Sequence, residues 1–442
     1  SVNGVWSEDR MCQLMETKIR LAEQARDSVC GQFQWIYSSH DNPGRRQPDE
    51  AYRKIDKVGP FNYKGLVTPW EEPLDVYYMY RANYVPAAKD PMVYLVSHTW
   101  ANRFEKGRRR ATIEAYSNCD SVLLYNDLTN EKATFLGRKK NNGTGTHFMW
   151  ENRDIRYNVL RAVGYYKGKP VAEDLILLNG LEQAPNFELL YQDDKKILKG
   201  EAGYNYLYRL NCGGDDYTDS FGQLWLQDNT NYSRSWAENF KDLNPYLASQ
   251  RTTNDPIHGT RDWTLFQHFR FGRHQLEYRF PVADGTYRIE LYFTEPWHGT
   301  GGSASADCEG LRIFDVAVND SVVLDDLDIW AESGHDGVCK KVVYAIVKGG
   351  MLKIHFPEVK AGQALISGIA IASTDQELKP TVFPASGWSW EKADKEVMEK
   401  TPKELLPEDK NARVSISYEA EMAVLKGKFQ KKEHRKQDRK ST

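Results

Sequence analysis

The chain has 442 residues and a mass of 50.9 kDa, about three times the size of a typical domain, so more than one hydrophobic core is expected. Its 59 Lys and Arg side chains are balanced by 62 Asp and Glu side chains, and this balance gives no chain-wide electrostatic basis for binding nucleic acid. Hydrophobic residues make up 40% of the chain, yet no apolar run reaches the roughly eighteen residues that span a bilayer. The sequence therefore predicts a globular protein of several domains, with no nucleic-acid partner and no membrane span.

Aromatic residues make up 12% of the chain and provide many flat amphipathic side chains. Such rings suit carbohydrate recognition, because the C–H groups of a sugar ring stack on them while its hydroxyls bond to polar neighbours. Proteins rich in β-strands are also rich in aromatic residues. Composition alone leaves both explanations open.

The six cysteines and ten histidines show none of the spacings typical of metal sites. There is no C-x-x-C, H-x-x-x-H or H-E-x-x-H grouping, so the sequence predicts no metal site and no cofactor. Cys308 and Cys339 flank a polar, glycine-rich stretch. They could pair in an oxidising compartment, or all six cysteines could be buried thiols.

The first ninety residues combine helical and strand patterns. Apolar residues at helical spacing predict a helix over Ser7–Arg26, alternation predicts a strand over Val29–Tyr37, and Pro73 opens a second helix over Leu74–Tyr84. One strand between two helices cannot close an α/β fold, because both strand edges stay unpaired. We therefore expect the end of a larger unit, with an exposed apolar surface. The side chains expected on that surface are Phe33, Trp35, Tyr77, Tyr80 and Tyr84.

Period-two alternation dominates the rest of the chain up to Ser373. Short strands separated by turn signals between Pro91 and Ala184 predict an immunoglobulin-like β-sandwich. Seven or more further strands between Tyr204 and Ser373 predict a second sandwich. The predicted fold class is therefore mainly β.

Several segments resemble glycoside hydrolase family 2, which contains β-galactosidases, β-glucuronidases and β-mannosidases. Gly31–Tyr37, Gly65–Val67 and Pro73–Tyr78 resemble the end of that family's catalytic barrel, whereas Asp90–Trp100 and Tyr116–Val122 resemble the junction to its immunoglobulin-like domain. The resemblance implies that residues 1–87 are the truncated end of a (β/α)8 barrel and residues 88–184 the immunoglobulin-like sandwich. Trp35 then matches the tryptophan that forms a wall of the family's sugar subsite; its alternative role is a barrel core residue.

Three further segments resemble the malectin domain, a carbohydrate-binding β-sandwich. They are Leu210–Asp215, Gly285–Glu295 and Arg312–Asn319, and the resemblance extends over residues 204–373. Carried across position by position, the sugar-contacting residues of malectin fall near Trp236 and on Phe271, Trp297 and His298. The chain departs from malectin at two sugar-contacting positions. Malectin has an aromatic residue where this chain has His298, and a sugar-contacting Asp where this chain has a residue around Ala361. The alternative is that these aromatic residues only close the loop end of the sandwich.

Residues 374–442 are predicted to be a linker followed by the start of a further module. Ser417–Ala423 resembles the opening strand of a carbohydrate-binding module of family 6 or 35. The chain would then begin inside one domain and end inside another. This suggests part of a larger glycosidase that lacks its N-terminal portion here and is exported to the periplasm or outside the cell.

No catalytic residue is predicted in this chain. Retaining glycosidases need two carboxylates about 5 Å apart, and in family 2 these follow the fourth and seventh barrel strands, which would precede residue 1. Glu71 and Glu72 are expected on a solvated loop near the barrel mouth.

Two functions follow from these resemblances. The first is the C-terminal part of a β-galactosidase-like exo-glycosidase that hydrolyses terminal β-glycosides. This part is expected to be inactive alone and to have an oligo- or polysaccharide as its partner. The second is a carbohydrate-binding or adhesive protein without catalysis. A helix, strand and helix at the N-terminus favours the first, because an adhesive protein has no use for the end of a barrel.

Overall fold

A computed structural model describes residues 8–41, 61–62, 64–69, 71–104, 110–228, 237–238, 249–272, 276–299 and 307–380. Most of its regular structure is β-sheet, as the sequence predicts. No helix in these ranges is both long and apolar enough to cross a bilayer. The predicted module over Ser417–Ala423 lies outside the described residues.

The N-terminal segment packs its helices onto the sandwich that follows it. Ring stacking of Tyr78 on Tyr94, with centroids 4.0 Å apart, is part of that contact, and the Glu16 carboxylate lies 2.9 Å from Nδ1 of His147. Cys12 and Ile19 of the first helix and Val76 and Met79 of the second are thereby buried in a cluster shared with the sandwich. The elements are α1 (Glu8–Gln24), β1 (His40–Asp41), β2 (Phe61–Asn62) and α2 (Asp75–Tyr84).

The prediction of a strand over Val29–Tyr37 is wrong, because these residues form no regular strand. A strand persists only when its N–H and C=O groups pair with neighbours, and among the described residues the pairing is limited to the Val67 region, next to Tyr37 and Ser38. The alternation instead marks an exposed apolar face: Phe33 is 95% and Trp35 75% exposed. Of the tyrosines expected on this surface, Tyr84 is exposed, whereas Tyr77 and Tyr80 are half-buried.

The second unit is a sandwich of two antiparallel sheets. One sheet has the order β3-β4-β7 and the other β6-β5-β8-β9, and their inward residues enclose a core centred on Trp150. Alternation places those apolar residues on one face of each sheet. The strands are β3 (Val93–Val96), β4 (Arg110–Ser117), β5 (Ser121–Tyr125), β6 (Phe135–Lys140), β7 (Phe148–Asp154), β8 (Val159–Tyr166) and β9 (Lys169–Leu177).

The third unit is a larger sandwich between residues 205 and 373. One sheet has the order β11-β12-β10-β24-β17-β20, and the facing sheet has the order β13-β16-β21-β18-β19, with β22 paired to β18. A smaller sheet, β14-β15-β23, closes one end of the shared core. The elements are β10 (Asn205–Cys212), β11 (Tyr217–Thr218), β12 (Leu224–Asp228), β13 (Ala237–Glu238), β14 (Ser249–Thr252), α3 (Trp263–Gln267), β15 (His268–Gly272), β16 (Glu277–Pro281), β17 (Gly285–Phe293), β18 (Ile313–Val318), β19 (Ser321–Leu327), α4 (Ile329–Ser333), β20 (Cys339–Val347), β21 (Met351–His355), β22 (Val359–Ala361), β23 (Ala364–Ile366) and β24 (Gly368–Ser373).

The two sandwiches are joined by a packed linker and by a buried histidine. The 3₁₀ helix Phe187–Tyr191 of the linker packs its end rings against Trp263 of the third unit. His98, on the loop after β3, lies with Nε2 2.9 Å from Asp174 of its own sandwich and Nδ1 2.7 Å from Asp255 of the next. All six cysteines, Cys308 and Cys339 included, are thiols rather than disulfides.

Candidate functional site

The candidate site lies at the loop end of the third unit, where β17 leads into the segment that carries Trp297. The indole is half-buried and meets the edges of two buried rings, Phe269 at 5.2 Å and Phe271 at 5.4 Å between centroids. The guanidinium carbon of Arg312 lies 5.2 Å from the Trp297 ring centre. The ring is thus supported by two edge contacts and a cation.

Glu295 and Arg312 form a fully buried ion pair beneath this ring. Nε of Arg312 donates to Oε2 of Glu295 at 2.5 Å, and Nη2 donates to Oε1 at 3.2 Å. Burial acts to raise the pKa of Glu295, but the Arg312 charge, the nearby His298 and the hydrogen bonds from both residues together lower that pKa to about 2. Oε1 also accepts the backbone N–H groups of Trp297 and His298. The carboxylate therefore fixes the turn on which both side chains stand.

His298 is buried and uncharged at neutral pH. Burial lowers its pKa to about 4, more than the Glu295 carboxylate raises it. Its Nε2 is buried and has no hydrogen-bond partner within the described ranges. A neutral imidazole offers one donor and one acceptor, so His298 brings unused hydrogen-bonding capacity next to Trp297.

The other predicted sugar-contacting residues lie in different settings. Phe271 is in β15 and is buried in the core, so it supports Trp297 from beneath. Trp236 lies outside the described residues. Trp35 is on the exposed apolar face of the N-terminal segment. The structure thus brings Phe271, Trp297 and His298 together at one end of the sandwich.

A chain of hydrogen bonds connects this end of the sandwich to the N-terminal segment. Nη1 of Arg312 donates to the Gln363 carbonyl at 2.7 Å, and Nε2 of Gln363 donates to Glu72 at 3.1 Å. The expectation of a solvated Glu72 is wrong: the residue is buried, its other oxygen accepts from Thr68, and burial raises its pKa. The loop that carries Gln363 contacts it. Glu71 beside it remains exposed.

Two groups of side chains in the described part of the chain could hold a metal ion. Asp255, His335 and Asp336 bring one ligand atom each within 4.8 Å of one another, and Asp315, Asp325 and Asp326 do the same. The second group includes two exposed residues on β19, one of which, Asp326, pairs with Lys360.

Sequence patterns alone did not identify the polar residues that organise this site. Glu295 follows one apolar strand and Arg312 precedes the next, and opposite charges at the ends of buried strands are a usable signal for a buried pair. Glu72 and Gln363 are 291 residues apart. Nothing in their local sequence predicts that they meet.

Residues 206–376 match the family model of the malectin domain. This stretch contains the Trp297 turn, Phe271 and the Glu295–Arg312 pair. The chain therefore contains a malectin domain, and the sandwich predicted from its alternating strands is that domain.

Parts of the chain are also similar to other known proteins. It is 29% identical over 181 residues to a protein named "Putative beta-glucuronidase" from Formosa agariphila, an alignment that covers 40% of this chain and 20% of that protein. It is 25% identical over 166 residues to malectin of Danio rerio, covering 36% of this chain and 52% of malectin. The crystal structure of Bacteroides uniformis β-glucuronidase aligns with 71% of this chain and 33% of that chain, at 25% identity and a TM-score of 0.30. The chain thus spans about one fifth to one half of the curated relatives it matches.

Replacing Glu295 with Gln should destabilise the malectin domain at neutral pH by about 3 kcal/mol, because Arg312 is left buried without a counter-charge. The pKa of Glu295 is lowered in the folded state to about 2. Its contribution is therefore fully present above the unfolded-state pKa of about 4.3 and is lost as the pH falls through about 2. Urea unfolding at a series of pH values should show this slope in the wild type and a flatter one in Glu295→Gln.

The matched control is Glu309→Gln, which removes an exposed carboxylate from the same domain. It should leave the unfolding free energy within about 0.5 kcal/mol of the wild type. Equal stability of Glu295→Gln and the control at pH 7 would show that the pair does not organise the turn.

Proposed function

We propose that this chain is the carbohydrate-binding part of a β-glycosidase, and that its malectin domain binds an oligosaccharide at the Trp297 end of the sandwich. The observation that carries the proposal is the half-buried indole of Trp297, fixed on three sides by Phe269, Phe271 and Arg312. A ring held in this way loses little side-chain entropy when a ligand binds. Its remaining accessible surface is suited to the C–H face of a sugar.

His298 supplies the polar part of this proposed recognition. Because the ring is neutral and its Nε2 has no partner in the described structure, a sugar hydroxyl can satisfy a nitrogen that is otherwise buried without a hydrogen bond. Stacking on one ring with one or two such bonds predicts weak binding, with a Kd on the order of 0.1–1 mM.

The catalytic part of the proposed enzyme lies outside this chain. The resemblance of residues 1–87 to the end of a family 2 barrel supports this. In the proposed enzyme, Trp35 forms a wall of the sugar subsite. The enzyme is exported to a location where polysaccharides occur. The sequence motifs favour a β-galactosidase-like activity, whereas the name of the Formosa agariphila relative favours a β-glucuronide. Both are terminal β-glycosides, and the proposal extends to that class.

The binding proposal predicts a specific change in an NMR spectrum of the full chain labelled with ¹⁵N at its 12 tryptophans. Titration with β-galactosides, β-glucosides and α-glucosides should shift the indole signal of Trp297 with at least one of them. Trp297→Phe assigns that signal and should weaken binding at least about threefold, because the smaller ring offers less stacking area.

The control for this titration is Tyr344→Ala, which removes an exposed ring from strand β20. It should bind as the wild type does. Thermal unfolding of both variants establishes that the domain is folded. A Trp297 signal that stays unchanged at sugar concentrations about ten times the expected upper Kd would contradict the proposal.

The catalytic proposal predicts that the purified chain hydrolyses no aryl β-galactoside, β-glucuronide or β-mannoside, because the paired carboxylates lie elsewhere. Release of the aryl product is measured, and a parallel reaction with added β-glucuronidase serves as the positive control. Hydrolysis that co-purifies with this chain and is abolished by one carboxylate substitution in it would overturn this part of the proposal. It would leave the binding part untouched.

A further inference from the structure

A second polar cluster lies where the malectin domain meets the preceding sandwich. The loop before α3 contributes Asp255, and the turn between α4 and β20 contributes His335 and Asp336. Their ligand atoms lie within 4.8 Å of one another. Asp255 and Asp336 are each 4% exposed, whereas the His335 side chain is 20% exposed, which leaves a path from solvent.

Backbone hydrogen bonds hold these two loops in place. The Asp336 N–H donates to the Glu295 carbonyl at 2.9 Å, and the His258 N–H donates to the Asp336 carbonyl at 2.8 Å. The Gln267 side chain donates to the Asp255 carbonyl at 2.9 Å. The three candidate ligands therefore stand on a rigid frame, as a selective site requires.

One carboxylate oxygen in this cluster lacks a partner. Oδ2 of Asp336 lies 2.9 Å from Nε2 of His335, whereas Oδ1 is buried and has no hydrogen-bond partner among the residues described. A buried acceptor left unsatisfied destabilises the fold, and more so when the group is charged. A cation bound at this oxygen would remove that destabilisation.

The local charge also favours a divalent cation. Both ring nitrogens of His98 lie against carboxylates, those of Asp174 and Asp255. Together with Asp336, three carboxylates thus lie within one small, buried region. A bound divalent cation would offset the repulsion among them.

We propose that Asp255, His335 and Asp336 form a binding site for a divalent transition metal, Zn²⁺ in preference to Ca²⁺. Two carboxylates and one imidazole suit Zn²⁺, whereas Ca²⁺ prefers oxygen ligands alone. His98 Nδ1 lies 2.7 Å from the Asp255 carboxylate and restricts its orientation. The bound ion would join the loop before α3 to the turn after α4 at the contact between the two sandwiches.

The site escapes sequence inspection because its residues lie far apart. Asp255 and the His335–Asp336 pair are about 80 residues apart, unlike the short spacings of familiar zinc motifs. The expectation of no metal site rests on local patterns of this kind.

Isothermal titration of the chelator-treated full chain with Zn²⁺ tests the proposal. All proteins carry Cys30→Ser, because Cys30 is an exposed thiol that could bind Zn²⁺ on its own. We expect one Zn²⁺ per chain and at least about tenfold weaker binding of Ca²⁺. Asp336→Asn and His335→Gln should each weaken Zn²⁺ binding at least about tenfold. The spectrum of bound Co²⁺ should show oxygen and nitrogen ligands and no thiolate band.

The control is Asp325→Asn, which alters the exposed acidic group on β19 and should bind Zn²⁺ as the parent protein does. Circular dichroism of the metal-free variants shows whether they are folded, and His335→Gln, at the most exposed ligand, serves if Asp336→Asn fails to fold. Absence of Zn²⁺ binding by the parent protein would overturn the proposal. So would binding of equal strength in His335→Gln or in a folded Asp336→Asn.

Discussion

The buried Glu295–Arg312 pair is the interaction on which the loop end of the malectin domain depends. Removing two charges from water is costly, and the cost is offset only where each charge is fully hydrogen-bonded. Here the carboxylate receives Arg312 and two backbone N–H groups, and the guanidinium also reaches the Gln363 carbonyl. The Glu295 carbonyl accepts from Asp336 as well. The side chains of the pair therefore fix the Trp297 turn and the β22–β23 loop, and the Glu295 backbone holds the turn after α4.

The same polar contacts orient the malectin domain relative to the rest of the chain. Gln363 reaches Glu72 of the N-terminal segment, and His98 links Asp174 of the middle sandwich to Asp255. Buried hydrogen bonds at a contact specify its geometry, since each misplaced partner leaves a desolvated polar group. The end of the malectin domain that carries Trp297 is thus tied to the segment that resembles the end of a glycosidase barrel.

Local sequence patterns predicted the sandwich strands well and the polar contacts between units poorly. The seven or more strands predicted between Tyr204 and Ser373 are present, β17 (Gly285–Phe293) among them, because alternation reports which face of a strand is buried. The same alternation at Val29–Tyr37 led to a wrong strand prediction, since the local sequence does not encode which strands will pair. Glu72 was expected in solvent because burial by a loop 291 residues away leaves no local trace. The residues of the site itself came from family resemblance rather than from periodicity.

The most direct test of the account is the detection of nuclear Overhauser effects between a bound oligosaccharide and the Trp297 indole. The full chain is deuterated except at its tryptophan side chains and studied with the sugar that shifts the indole signal most. The account predicts cross-peaks between C–H protons of one sugar ring and the Trp297 indole, and their loss in Trp297→Phe. Cross-peaks that persist in that variant, or that connect the sugar only to another tryptophan, would contradict it.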